Sequence, residues 1–285
     1  MIFSLTKKPL AWITDSTAYF PKELQDHPDL FSVPLNIHFD EEQYADGIDL
    51  TSDQLYEKIK NAVDFPKTSQ PSAGKFAKLY KELSEDYEEA IAIHLSGEMS
   101  GTLVSSRGGA EIANFPVTFV DSLSLSYGAT ALIQKGIEMY DNGASVAEIK
   151  VKLDDMAGKV NNFILMGQLE QLYKGGRMNG VQFFIGSLLK VKPIVQISKE
   201  GKLEAIDKVR SEKRALQYLI DKVADAHKNG IRKFYLMQGN VPDQADHLVK
   251  LITEQMPDVE VEIGEISSVL AVHAGEGTLA MLWVD

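Results

Sequence analysis

Four short segments rich in hydroxyls and glycine each follow an apolar stretch: DSTA at 15–18, TSQPS at 68–72, HLSGEMSGT at 94–102 and DSLSLSYG at 121–128. Hydroxyls, together with the free N–H groups of a helix start, make an uncharged or weakly positive donor set suited to a carboxylate or phosphate. Ser and Thr also dominate helix N-caps for local reasons, so each segment alone reads equally well as a cap. His273, in SSVLAVHAGEG, offers an imidazole that either bonds a backbone carbonyl at the core edge or donates to the same anion beside Ser96. In LEQLYKGGRMNG, residues 169–180, paired glycines end a helix just ahead of Arg177. That charge is either solvated or stabilises an anion where two domains meet, and Lys174 supports the same field. The apolar VQFFIGSLL at 181–189 reads as a core helix, and its Phe183, Phe184 and Leu188 equally suit the wall of an elongated cavity.

Several chemistries are set aside by what is missing. The sequence has no cysteine, which excludes disulfides, thiolate nucleophiles and cysteine-bearing metal sites. Its six histidines form no HExxH pair, so neither a resident metal nor another cofactor is expected. GxxxxGK[ST], a first-strand GxGxxG and a GxSxG elbow are all absent, against a P-loop, a dinucleotide domain and a hydrolase of that type. A Ser–His–Asp triad assembled from Ser96, His273 and Asp121 stays open, because triads follow geometry and not sequence order. A formal net charge of −12 opposes nonspecific binding to nucleic acid or anionic membrane. With neither a leader pattern nor a membrane-length apolar run, the expected location is the cytoplasm.

The elements that must position these groups alternate between short apolar runs and amphipathic stretches, the pattern of an α/β protein with largely parallel sheets. AWIT, DLFSVPLNIHF, EEAIAIHL and PVTFVDS read as the strands of the first half, and the acidic DEEQYADGIDL as a surface loop. Thr51 with Gln54 makes a capping box. In open α/β sheets the strand carboxyl ends face one crevice, so the four hydroxyl segments can converge there. The second half repeats the alternation from NNFILM to the final strand. The chain is 285 residues long, enough for an N-terminal α/β domain over 1–160 and a second α/β domain over 161–285.

ITDSTA, TSQPS, HLSGEMSGT, VDS, LEQLYKGGRMN, VKPIVQISKEGKLEAIDKVR and VHAGEG, in that order along nearly the whole chain, closely resemble the DegV family. The resemblance implies a two-domain DegV-like fold that binds a long-chain fatty acid. In some members that acid is presented to a fatty-acid kinase, which phosphorylates its carboxylate for phospholipid synthesis. It implies a binding protein and not an enzyme. The carboxylate-binding positions would be Thr68 or Ser69, Ser96 and His273, with Arg177 at the ligand end or at the encounter with the kinase. Two departures stand out. Gly97 replaces a second serine, and in VHAGEG Val272 and Glu276 replace a threonine and a proline of the family motif. Glu276 brings a negative group towards the anion, tolerable only if it points away or pairs with Arg177 or a lysine. Two other functions remain open alongside: a stand-alone hydrolase or transferase acting on an acyl or phosphorylated metabolite, and a non-catalytic lipid sensor.

Overall fold

The computed structural model describes residues 7–62, 64–177 and 191–285, so the run carrying Phe183, Phe184 and Leu188 lies outside the described residues. Strands β1 (Lys8–Asp15), β2 (Leu30–Val33), β6 (Tyr87–His94) and β7 (Val117–Asp121) form a wholly parallel sheet, ordered β2-β1-β6-β7. A small antiparallel sheet sets β3 (Asn36–Phe39) between β4 (Glu42–Ala45) and β5 (Lys67–Ser69). The third sheet contains β8 (Val160–Leu165), β9 (Lys192–Ile197), β10 (Leu203–Val209), β11 (Lys233–Gln238), β12 (Glu260–Glu265) and β13 (Leu279–Val284). Its order is β10-β9-β8-β13-β11-β12.

Along β1 the side chains alternate between faces. Leu10 and Trp12 pack with Leu132 and Ile133 of α5 (Tyr127–Asp141) and with Ile149 and Leu153 of α6 (Val146–Ala157). Ala11 and Ile13 turn to the opposite face, against Phe76 and Tyr80 of α3 (Ala73–Asp86) and Ala110 of α4 (Thr102–Ala113). Burial on both faces is why these strands read as continuous apolar runs. Fully burying a side chain such as Phe76 contributes about 1.5–3 kcal/mol.

In the six-stranded sheet, Phe163, Leu165, Leu279 and Met281 face α8 (Glu212–Lys228) and α9 (Pro242–Gln255). The alternate residues Ile164, Met166, Ala280 and Leu282 face the other way. On that side lie α2 (Ser52–Asn61), α7 (Leu169–Lys174), α10 (Ser268–Ala274) and the small sheet. The capping boxes are formed: Thr51 Oγ1 accepts the Gln54 N–H, and Ser145 does the same for Glu148 at the start of α6.

Three expectations are corrected. DLFSVPLNIHF is two strands and not one, because Pro34, which has no N–H, interrupts it and sends β2 and β3 to different sheets. The acidic stretch after it is no loop throughout but contains β4, whose polar side chains suit a sheet edge. The six-stranded sheet is parallel only at β11–β12, its other pairings being antiparallel, since apolar runs carry no sign of strand direction.

Candidate functional site

Between the carboxyl ends of the parallel strands and the inner face of the six-stranded sheet runs an apolar slot. Leu95 and Leu125, just after β6 and β7, line it together with Ile164, Met166, Ala280 and Leu282. It holds about 850 Å³ of space between atoms, its open mouth included, and most of its lining is aliphatic. Such a lining suits a hydrocarbon tail.

Thr68 and His273 meet in the wall of this slot, Thr68 Oγ1 and His273 Nε2 lying 2.7 Å apart. Pairing of β5 with β3 sets Thr68 opposite Ile37, while α10 carries His273. His273 Nδ1 is buried, has no partner among the described residues, and is pressed against Gly175, where an added Cβ would collide with the imidazole. A bare acceptor is tolerated in burial better than a bare N–H, which puts the proton on Nε2. His273 then donates to Thr68 Oγ1, and the Thr68 hydroxyl proton is free to point into the slot. Burial, and after it the Arg177 guanidinium, push the His273 pKa down to about 4, so the ring is neutral at neutral pH.

Arg177 is anchored by its Nη1–H to the Gly175 carbonyl at 2.8 Å. With Met99, Ser100 and Leu203 it borders both the slot and a wider polar basin outside it, to which Gly97, Glu98 and Lys202 also belong. The passage from dry slot to polar basin therefore carries a fixed positive charge.

Ser69 also borders the slot, yet its hydroxyl lies 2.8 Å from His38 Nε2 and accepts from Asn36 Nδ2 at 3.3 Å. Ser96 stands apart. Expected beside Thr68 and His273, it is fully buried and does not line the slot. Its Oγ donates to the Gly201 carbonyl at 2.8 Å and accepts the Glu98 N–H, tying the loop after β6 to the β9–β10 turn. Lys174 is solvated and paired with Glu170 at 2.9 Å, away from both cavities.

Gly97 has a reason to lack a side chain: its N–H reaches Asp121, and a Cβ there would lie 2.9 Å from Asp121 Oδ2. Glu276 points away from the slot, accepting from Asn240 at 2.6 Å and pairing with Lys60 at 3.3 Å. Val272 is a fully buried core residue.

The triad of Ser96, His273 and Asp121 is not assembled: Ser96 is engaged with Gly201, His273 with Thr68, and Asp121 with the N–H groups of Gly97 and Leu123. A relay that sequence reading missed does exist, with His94 Nδ1 3.0 Å from Asp15 Oδ2 and His94 Nε2 2.8 Å from Ser106 Oγ, which also meets Tyr80. All four side chains are sealed in the parallel-sheet core, closed to any substrate. Ser100 and Ser126, from two of the four hydroxyl segments, do reach the slot wall, whereas Asn162 and Thr278 of that wall were missed. For Asn162 the usable signal was strand alternation, which sets it on one face with Ile164 and Met166.

Comparison with known proteins gives a consistent result. A family model described as "Uncharacterised protein, DegV family" matches residues 9–285. "Protein DegV" of Bacillus subtilis is 34% identical over 279 residues, 96% of this chain and 98% of the relative. The crystal structure described as DegV, a fatty acid binding protein from Bacillus subtilis, aligns with a TM-score of 0.87 at 30% identity, covering 98% of this chain and 99% of that one. A fatty acid binding DegV family protein from Streptococcus agalactiae aligns at 0.88 and 30% identity, covering 96% and 98%. At 23% identity the Streptococcus pneumoniae Fatty Acid Kinase (Fak) B3 protein loaded with linoleic acid shares the fold, with a TM-score of 0.83 over 97% of this chain and 99% of its own. The α/β architecture expected from the sequence is thus that of the family, and the relatives are described by what they bind.

Proposed function

The chain belongs to the DegV family, and from that premise we propose that it holds a long-chain fatty acid with the tail in the apolar slot and the carboxylate at Thr68, facing Arg177. The observation that carries this reading is the meeting, in one apolar slot, of a hydroxyl freed by a neutral histidine and a fixed guanidinium. Affinity comes mainly from the tail. Each buried methylene contributes up to about 0.8 kcal/mol, and roughly fourteen of them about 11 kcal/mol before the costs of association. The polar groups replace water around the carboxylate and so set orientation more than strength. Ser96 acts one step back, holding the loop that brings Met99 and Ser100 to the mouth.

The protein performs no chemistry on the acid in this scheme. A fatty-acid kinase supplies ATP and phosphorylates the presented carboxylate, with the polar basin outside Arg177 as the face it approaches. Support for this finer step is the family resemblance and the fold shared with the Fatty Acid Kinase (Fak) B3 protein. Native mass spectrometry of freshly purified protein, followed by lipid analysis after denaturation, tests the pocket. A co-purified acyl chain is expected, and a protein that neither carries nor takes up fatty acid would refute it. Adding ATP with and without a fatty-acid kinase tests presentation, with acyl phosphate expected only when the kinase is present.

A further inference from the structure

Part-way along the slot, a largely apolar stretch of wall holds two polar side chains that find no hydrogen-bond partner among the described residues. Asn162 is 1% exposed, and neither its Nδ2 nor its Oδ1 has a partner among them. Ser126 is 2% exposed, and its Oγ likewise has none among them. Both line the slot. Burying an amide and a hydroxyl unbonded is unfavourable, and a leucine at position 162 would avoid the cost altogether.

The two belong to one region, remote from the Thr68–His273 pair. The start of α5, which follows Ser126, packs on the amino end of β8: a Cβ added at Gly128 would lie 3.1 Å from Val160 Cγ1. The His273 end lies at the opposite, carboxyl end of β8, where the Gln168 N–H bonds the Ala274 carbonyl at 3.1 Å. β8 advances about 3.3 Å per residue, so Asn162 near its start lies well over one residue's length from the carboxyl-end wall at Met166, towards the middle of an acyl chain whose carboxylate sits at Thr68.

We propose that Asn162 and Ser126 form a second, uncharged subsite that receives an oxygen carried on the acyl chain, a hydroxyl or keto group in the chain's interior, away from the carboxyl end. The inference rests on the fatty-acid reading and deepens it by naming the substrate class. An asparagine amide supplies both donor and acceptor, and serine can act as either, which matches a hydroxyl or a carbonyl. Neither residue is charged, so a second carboxylate would be buried there without a counter-charge and is disfavoured. A site built to bond an oxygen discriminates against the analogue lacking it, because its own polar groups are then left unpaired.

The test titrates the delipidated full chain with octadecanoic acid and with a series of monohydroxy-octadecanoic acids differing in the position of the hydroxyl. Tighter binding by at least about tenfold is expected for one mid-chain hydroxyl position over octadecanoic acid and over hydroxyls close to the carboxylate. Asn162→Leu should reverse that preference, and Ser126→Ala should reduce it. The wild-type position scan needs no variant, so it decides even if a substitution impairs folding. A wild-type protein that binds octadecanoic acid best, with no position favoured, overturns the subsite and leaves the fatty-acid reading standing. Failure to bind any member of the series overturns both.

Discussion

Replacing Thr68 by valine keeps the shape of the slot wall and removes one hydroxyl. That hydroxyl lies 2.7 Å from His273 Nε2, and with the ring proton on Nε2 it accepts there and keeps its own proton for the ligand. A hydrogen bond to a charged group is worth about 1.5–3 kcal/mol, so the affinity for hexadecanoic acid should fall by about 10- to 100-fold. Hexadecanol has the same tail but no charge, and its affinity should fall much less. Comparing both ligands on both proteins isolates the interaction between hydroxyl and carboxylate from any general damage to the slot. Calorimetric titration of delipidated protein measures all four values. The variant should also be less stable by about 1–3 kcal/mol, because a buried imidazole N–H loses its acceptor. Equal losses for acid and alcohol, or no loss for either, would refute the placement of the carboxylate at Thr68.

Ser96→Ala should lower stability by about 1–3 kcal/mol, since the Gly201 carbonyl loses its donor; denaturant titration reads this, while affinity for hexadecanoic acid should change little. Gly175→Ala sets a methyl group 2.7 Å from His273 Cε1, so the ring must move and acid binding should weaken as far as in Thr68→Val, measured by the same titration. His273 carries a pH signature. Its folded pKa of about 4 lies below the ordinary 6.5, so its contribution to stability is fully present above the ordinary value and is lost as pH falls through the folded one. Denaturation curves across that window should show the wild type losing a few kcal/mol more than His273→Gln, and parallel losses would contradict the neutral buried imidazole.

Much of the architecture was legible in the sequence because it depends on local and periodic signals. Thr51 and Gln54 sit at the spacing of a capping box, and they form one. The doubly buried strands announce themselves as apolar runs, and the ordered motifs of the DegV family run the length of the chain. Strand partners were not legible: Pro34 divides one apolar stretch between two sheets, and the pairings of β8 and β13 depend on a face that only the assembled layers create.

By itself the sequence determined which groups were available, a set of hydroxyls, one histidine and one arginine set in apolar surroundings without cysteine. Tertiary structure decided which of them meet. Thr68 and His273, 205 residues apart, share a hydrogen bond, while Ser96, equally promising as a residue type, spends its proton on a carbonyl of another sheet. Glu276 is drawn off by Lys60 and Asn240, and Asn162 finds no partner among the described residues, within a strand read from the sequence for its apolar run. The physical reason is that a hydrogen bond depends on distances of a few tenths of an ångström between atoms from separate elements, and no residue type or spacing along the chain encodes those distances.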